Sequence, residues 1–152
     1  WTAEHPALYE LLQGGDAGRI LFGEWCPLKH SIHYTRLPGL FIAFDVYDRA
    51  SARFLAAEAR NDLLDGTGIP VVRTLYRGKV DEAKLRELIH APSIYYDGKV
   101  EGVYVRVDDP THNYNVDRAK VVRHDFLETT QSGEVQHWST RTVVKNMLAA
   151  YQ

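Results

Sequence analysis

A single cysteine, Cys26, leaves this chain of 152 residues without an internal disulfide and without a CxxC pair. That excludes a disulfide-stapled secreted scaffold and any cysteine-based zinc site, and it fits a reducing, cytoplasmic compartment. Long hydrophobic runs are missing as well. No stretch approaches the ~20 apolar residues of a membrane span, and no charged, apolar and small-residue segments line up as a signal peptide, so no membrane partner is expected. Charge of one sign is also lacking. A formal net charge of -2 gives no global attraction to nucleic acid, so binding to a polyanion must come from a local cluster of lysine and arginine.

What is present is 45% hydrophobic content, enough for residues 1–152 to form a single domain burying roughly 68 to 70% of its unfolded surface. The chain opens with Trp1 directly into "WTAEHPALYELLQ", where Leu8, Leu11 and Leu12 show helical spacing. This start reads as the middle of something longer, an N-terminally incomplete domain. "GGDAG" at residues 14–18 signals a turn, and "RILFGEW" reads as a strand. "CPLKHSIHYTRLPG" is a polar, aromatic connection. "LFIAFDVYD", residues 40–48, reads as a buried strand whose one polar exception is Asp45.

Residues 51–65 suit a helix stopped by Gly66 and Gly68, and "IPVVRTLYRG" reads as a strand. Asp81 is placed to N-cap a short helix through His90. "VEGVYVRV" at residues 100–107 and "YNVDRAKVVRHDF" suggest a hairpin turning near residues 109–112, and Val143, Val144, Met147, Leu148 and Tyr151 predict a closing helix. The expected class is α+β, a largely antiparallel sheet with flanking helices.

The chemistry concentrates in that hairpin. Alternation puts Glu101 on the side of Val103, Val105 and Val107, where an unpaired carboxylate is expensive and calls for a cation, a metal or a ligand. Arg118 and Lys120 share a face with Val116 and Val122, and the hairpin register brings Lys120 within a residue or two of the Glu101 neighbourhood. Two readings stay open. The group is an internal ion-pair network, or it is a phosphate site in which the cations offset charge and Glu101 holds a divalent metal.

Asp45 calls for either a backbone donor or a basic residue such as Arg106. His30 and His33 lack a third ligand for zinc, and with Ser31, Tyr34 and Lys29 they read as a polar rim. Cys26 has no nucleophile signature, and Gly66-x-Gly68 follows a helix, as a C-cap does. Phe44 alone is a core residue and Glu24 alone a strand-end charge.

Three stretches together resemble the RNA ligase family of the covalent nucleotidyltransferases. "LFGEWCPLKHSIHYTRLPGLFIAFDVYD" is similar to the family's Gly-Glu pair, His-Ser-Ile-x-Tyr segment and strand ending in Phe-Asp. "EGVYVR" resembles nucleotidyltransferase motif IV and "RAKVVRHDF" resembles motif V; order and spacing match over about residues 20 to 126, and "HWSTRTVVKN" is similar to the end of the family's domain. The "HSIHY" and "FIAFDVYD" arrangement looks like the RNA ligase branch more than a DNA ligase or a capping enzyme.

The resemblance implies an adenylation domain that uses ATP and Mg2+ or Mn2+ to seal RNA ends, a repair activity. It implies that Glu24 takes the ribose hydroxyls of ATP and that Phe44 covers one face of the adenine. Glu101 would act on metal and phosphates, and Arg118 and Lys120 on the α-phosphate. His30, Ser31 and Tyr34 would form a rim toward nucleotide or RNA. The family's nucleophile is a lysine in Lys-x-Asp-Gly, upstream of the Gly-Glu pair, and Trp1–Gly23 contains no lysine. Lys29, Lys79 and Lys99 have the wrong neighbours. The expectation is a domain whose lysine is missing by truncation or comes from another chain, with a noncatalytic nucleotide- or RNA-end-binding module as the alternative.

Overall fold

"RILFGEW" forms strand β1, Arg19–Trp25, and pairs antiparallel with β2, Phe41–Asp48, in the register Arg19↔Asp48 through Trp25↔Phe41. Aromatic and branched side chains suit both strands to a pleated, half-covered surface. A computed structural model describes residues 1–13, 18–123 and 144–150, and within it the chain divides into two compact units. Helices and antiparallel strands make the fold α+β, as the hydrophobic patterning implies.

The first unit comprises Trp1–Trp25, Phe41–Val72 and Arg106–Arg118. Its three-stranded sheet has the order β1-β2-β3, with β3 reduced to Arg53–Phe54. β2 is buried on both faces, with Ile42, Ala43, Asp45 and Val46 all hidden from solvent. Helix α1, Pro6–Gln13, starts on a proline whose fixed φ suits the first helical position. It sends Leu8, Leu11 and Leu12 into a core with Ala43, Val46, Leu64 and Ile69. Helix α2, Ala57–Leu64, supplies Leu64.

The helix expected over residues 51–65 begins only at Ala57. Residues 53–54 are drawn into β3 by pairing Phe54 with Tyr47 and Arg53 with Asp48. "IPVVRTLYRG" is not a full strand either. One bridge joins Val71 to Ala43, where Ala43 N–H donates to the Pro70 carbonyl at 2.8 Å and Val72 N–H to that of Ala43 at 2.8 Å. Beyond it residues 73–80 carry no strand, and Leu75, Tyr76 and Val80 are exposed.

The second unit comprises Cys26–Leu40, Arg73–Val105 and Ala119 onward. Helix α3, Glu82–Leu88, is capped as expected: the Asp81 carboxylate accepts from Lys84 N–H at 2.7 Å. The predicted closing helix is absent over residues 144–150, which run extended instead. Lys145 bridges Leu28, Leu148 bridges Leu37, and Leu37 N–H donates to the Met147 carbonyl at 3.0 Å. Interstrand partners thus satisfy the backbone that a helix would have satisfied internally. Val143 and Tyr151, "GGDA" and the tail of the "RAKVVRHDF" motif lie outside the described residues.

The predicted hairpin is present as strands β4, Gly102–Asp109, and β5, Tyr114–Val122. Its turn carries Asn113 in the left-handed region, φ 57, a conformation asparagine tolerates better than most residues. The turn end belongs to the first unit and the open end to the second.

Candidate functional site

In the first unit, Gly23 sets up Glu24. The β1–β2 register slips between Phe22 and Gly23, and a Cβ at Gly23 would run into the Phe41 ring and the Ile42 carbonyl. Only glycine lets the strands approach there. Glu24 follows the slip, exposed and opposite Ile42. Phe44 is half-buried in β2, and its carbonyl accepts from the buried Arg60 at 2.5 Å.

Asp45 resolves the choice left open between a backbone donor and a basic residue. It is 1% exposed, and two guanidiniums converge on it: Arg106 on Oδ1, and Arg118 on Oδ2 at 3.2 Å. Arg106 also donates to the Leu55 carbonyl at 2.6 Å and to Asp108 at 3.3 Å. Arg118 carries a second contact, its Cζ lying 3.4 Å from the centroid of the Phe54 ring. Arg118 is therefore anchored within the first unit by a carboxylate and an aromatic face.

Glu101 belongs to the second unit, and its position differs from the alternation argument. The residue sits just ahead of β4 instead of within it, and Val107, expected on the same buried side, is 55% exposed. Gly102 fixes the local geometry, since a Cβ there would meet the Val121 carbonyl. Arg123 N–H donates to the Glu101 carbonyl at 3.1 Å, so the register sets Glu101 against Arg123, beyond Lys120. Lys120 and Val116 are exposed, so the face they were assigned is a solvent face.

The half-buried carboxylate is satisfied by a neutral donor, the Tyr34 hydroxyl. Burial, then the hydrogen bond and charge of Glu101, push the Tyr34 phenol far above its ordinary range, so it stays a donor to Glu101 into alkaline pH. Tyr34 is held in turn. Its ring meets Tyr95 and Tyr96 edge-on, and its N–H donates at 2.9 Å to Oδ1 of the buried Asn146. Asn146 completes the tie by donating to the carbonyls of Cys26 and Leu28 at 3.1 and 2.9 Å. Tyr34, read as a rim residue, is thus the orienting partner of Glu101.

His30 and Ser31 are exposed, whereas His33 directs Nε2 to the Lys145 carbonyl at 3.0 Å. Among the described residues no group of three or more His, Cys, Asp or Glu side chains could hold a metal. A zinc cage is thereby disfavoured. A single oriented carboxylate still fits Mg2+, which keeps several waters and is commonly bound through one or two carboxylates and substrate phosphates.

Asn146, Tyr95, Tyr96, Arg60 and Phe54 went unnoticed as supports. Only Arg60 left a signal in the sequence, a charge on the leucine-bearing side of a helix pattern. The others depend on long-range contacts.

An RNA ligase family model matches residues 1–122. The chain belongs to the RNA ligase family. No curated protein and no solved structure matches it.

Proposed function

We propose that the chain is the nucleotidyltransferase domain of an ATP-dependent RNA ligase, which joins an RNA 5'-phosphate to a 3'-hydroxyl through AMP transfer. The observation that carries the reading is the family match over residues 1–122, a span that includes Glu24, Phe44, Glu101, Arg118 and Lys120. In this reading AMP passes from ATP to a lysine with loss of pyrophosphate, then to the RNA 5'-phosphate, and the 3'-hydroxyl finally displaces AMP. Each step is an in-line displacement at phosphorus, so the protein's task is positioning and charge neutralisation.

The residues divide that task. Glu24 takes the ribose hydroxyls and Phe44 one face of the adenine. Arg118 and Lys120 offset charge on the α-phosphate, and Glu101 ligates Mg2+ or Mn2+ directly or through water. His30 and Ser31, exposed on the connection that also carries Tyr34, border the substrate. The reading puts the nucleophilic lysine outside residues 1–152, on the same polypeptide or on a partner chain.

The test is incubation of the native protein with radiolabelled ATP and Mg2+, followed by a nicked RNA duplex. Covalent label on protein and a sealed strand support the ligase. Binding of ATP or RNA ends with neither product returns the noncatalytic module. Matched DNA nicks separate an RNA ligase from a DNA ligase.

A further inference from the structure

Within the first unit, β3 and the turn end of the β4–β5 hairpin border an open cavity of about 470 Å³. Its size falls in the range of small-ligand sites, roughly 300–1,000 Å³. Two arginine–aromatic contacts form its walls, Arg118 over Phe54 at 3.4 Å and Arg53 over Tyr114 at 5.3 Å, each measured from Cζ to ring centroid. Arg53 is exposed, so it is not held there by a core. The wall also includes Ala52 at φ 55, a left-handed conformation that a residue with a Cβ adopts at a penalty.

A guanidinium held over an aromatic ring puts cationic N–H groups beside a π surface. Such platforms accept nucleobases by stacking, without reading sequence, while a neighbouring arginine takes the backbone phosphate. The carboxylates in the wall limit the charge a ligand can bring. Asp109 pairs with His112 at 2.7 Å, and Asp117 accepts from Arg118 N–H at 2.7 Å. Arg118 already pairs with Asp45, so Arg53 is the wall's guanidinium left for a ligand phosphate, which suits the single charge of a phosphodiester better than the several of a free triphosphate.

We propose that this cavity holds one unpaired nucleotide of an RNA strand, its base stacked on the arginine–aromatic walls and its phosphodiester on Arg53. The identity of the polymer rests on the RNA ligase reading; the cavity and its contacts do not.

The native protein, Arg53→Gln and Tyr114→Leu are compared by fluorescence anisotropy with a single-stranded oligoribonucleotide at several salt concentrations. AMP serves as competitor, and adenylation from ATP is followed separately. The expected result is adenylation at the native rate in both variants, with RNA affinity lowered about five- to tenfold and the salt slope of Arg53→Gln reduced by about 1. Arg53 is exposed, so its variant reports even if Tyr114→Leu fails to fold. Unchanged RNA affinity with adenylation intact overturns the cavity assignment and leaves the ligase reading standing. RNA affinity lost in the variants of a protein that never adenylates supports the cavity and overturns the ligase reading. Displacement of RNA by AMP at equal concentration overturns the RNA strand in favour of a free mononucleotide.

Discussion

Arg106 closes an ion pair on Asp45, the buried carboxylate at the middle of β2, and the same guanidinium holds the Leu55 carbonyl at the approach to α2. With side chains only 10% and 2% exposed, neither partner can fall back on water. Arg106→Leu should therefore destabilise the protein by about 3–5 kcal/mol, the range for breaking a buried pair, with Arg118 still on Oδ2 of the carboxylate. Arg118→Leu, whose side chain is 35% exposed, should cost about 1 kcal/mol or less. Urea unfolding of the two variants checks the ordering, and equal losses would contradict it.

The Tyr34–Glu101 contact has an alkaline signature. The Tyr34 phenol is raised above its usual 10.0 in the folded state. Above pH ~10 the unfolded chain therefore releases a proton that the folded chain keeps, and stability falls as pH rises. The contribution is fully present below that pH. Tyr34→Phe should lose about 1 kcal/mol at neutral pH and flatten the decline above pH ~10. A thermal-melting series from neutral to alkaline pH measures both, and parallel profiles for the two proteins would refute the assignment.

Helix α2 receives its N-terminal cap from another part of the chain. Ala56 contributes no side-chain cap, and Asp108 instead accepts from Ala57 N–H at 2.7 Å. Burial works to raise the Asp108 carboxyl, but the hydrogen bonds from Ala57 and Asn115 and the Arg106 charge outweigh it and hold the group below the usual carboxylate range. Its stabilisation is present above an ordinary carboxylate pKa and is lost as pH falls through the depressed one. Asp108→Ala should cost about 1–2 kcal/mol at neutral pH and less in acid, which chemical denaturation at two pH values reports.

The proposed roles of Glu101 and Lys120 separate activity from stability. Glu101→Gln keeps an acceptor for Tyr34 while deleting the charge, and Lys120→Ala alters an exposed side chain. Both should leave the melting temperature within a few degrees and lower RNA joining at least about 100-fold. Unfolding of either variant, with ATP affinity unchanged in the protein that stays folded, would return these groups to an internal structural role.

Alternation and punctuation carried much of the fold. β1 matches "RILFGEW" residue for residue, β2 matches the "LFIAFDVYD" run apart from Leu40, and Asp81 caps α3, because local geometry decides those features. The failures involve competition between distant segments. Residues 53–54 form a sheet edge where spacing suited a helix, and residues 144–150 run beside the Leu28–Leu37 stretch. The oddity of Asp45 was legible as buried charge, whereas Glu101 is only half-buried and lies just ahead of β4. For Asp45 a backbone donor and a basic residue such as Arg106 were both open, and the fold decides for the arginine. Tyr34 could not be named for Glu101, because a hydroxyl donor leaves no mark in charge patterning and reaches its acceptor across the fold.

Covalent labelling of the native protein with ATP and Mg2+, followed by transfer of that label to a 5'-phosphorylated RNA nick, tests the central claim most directly. The account predicts a single AMP in phosphoramidate linkage to a lysine, and a sealed RNA strand that Glu101→Gln does not produce. ATP bound without covalent AMP, and a nick left open, would contradict it.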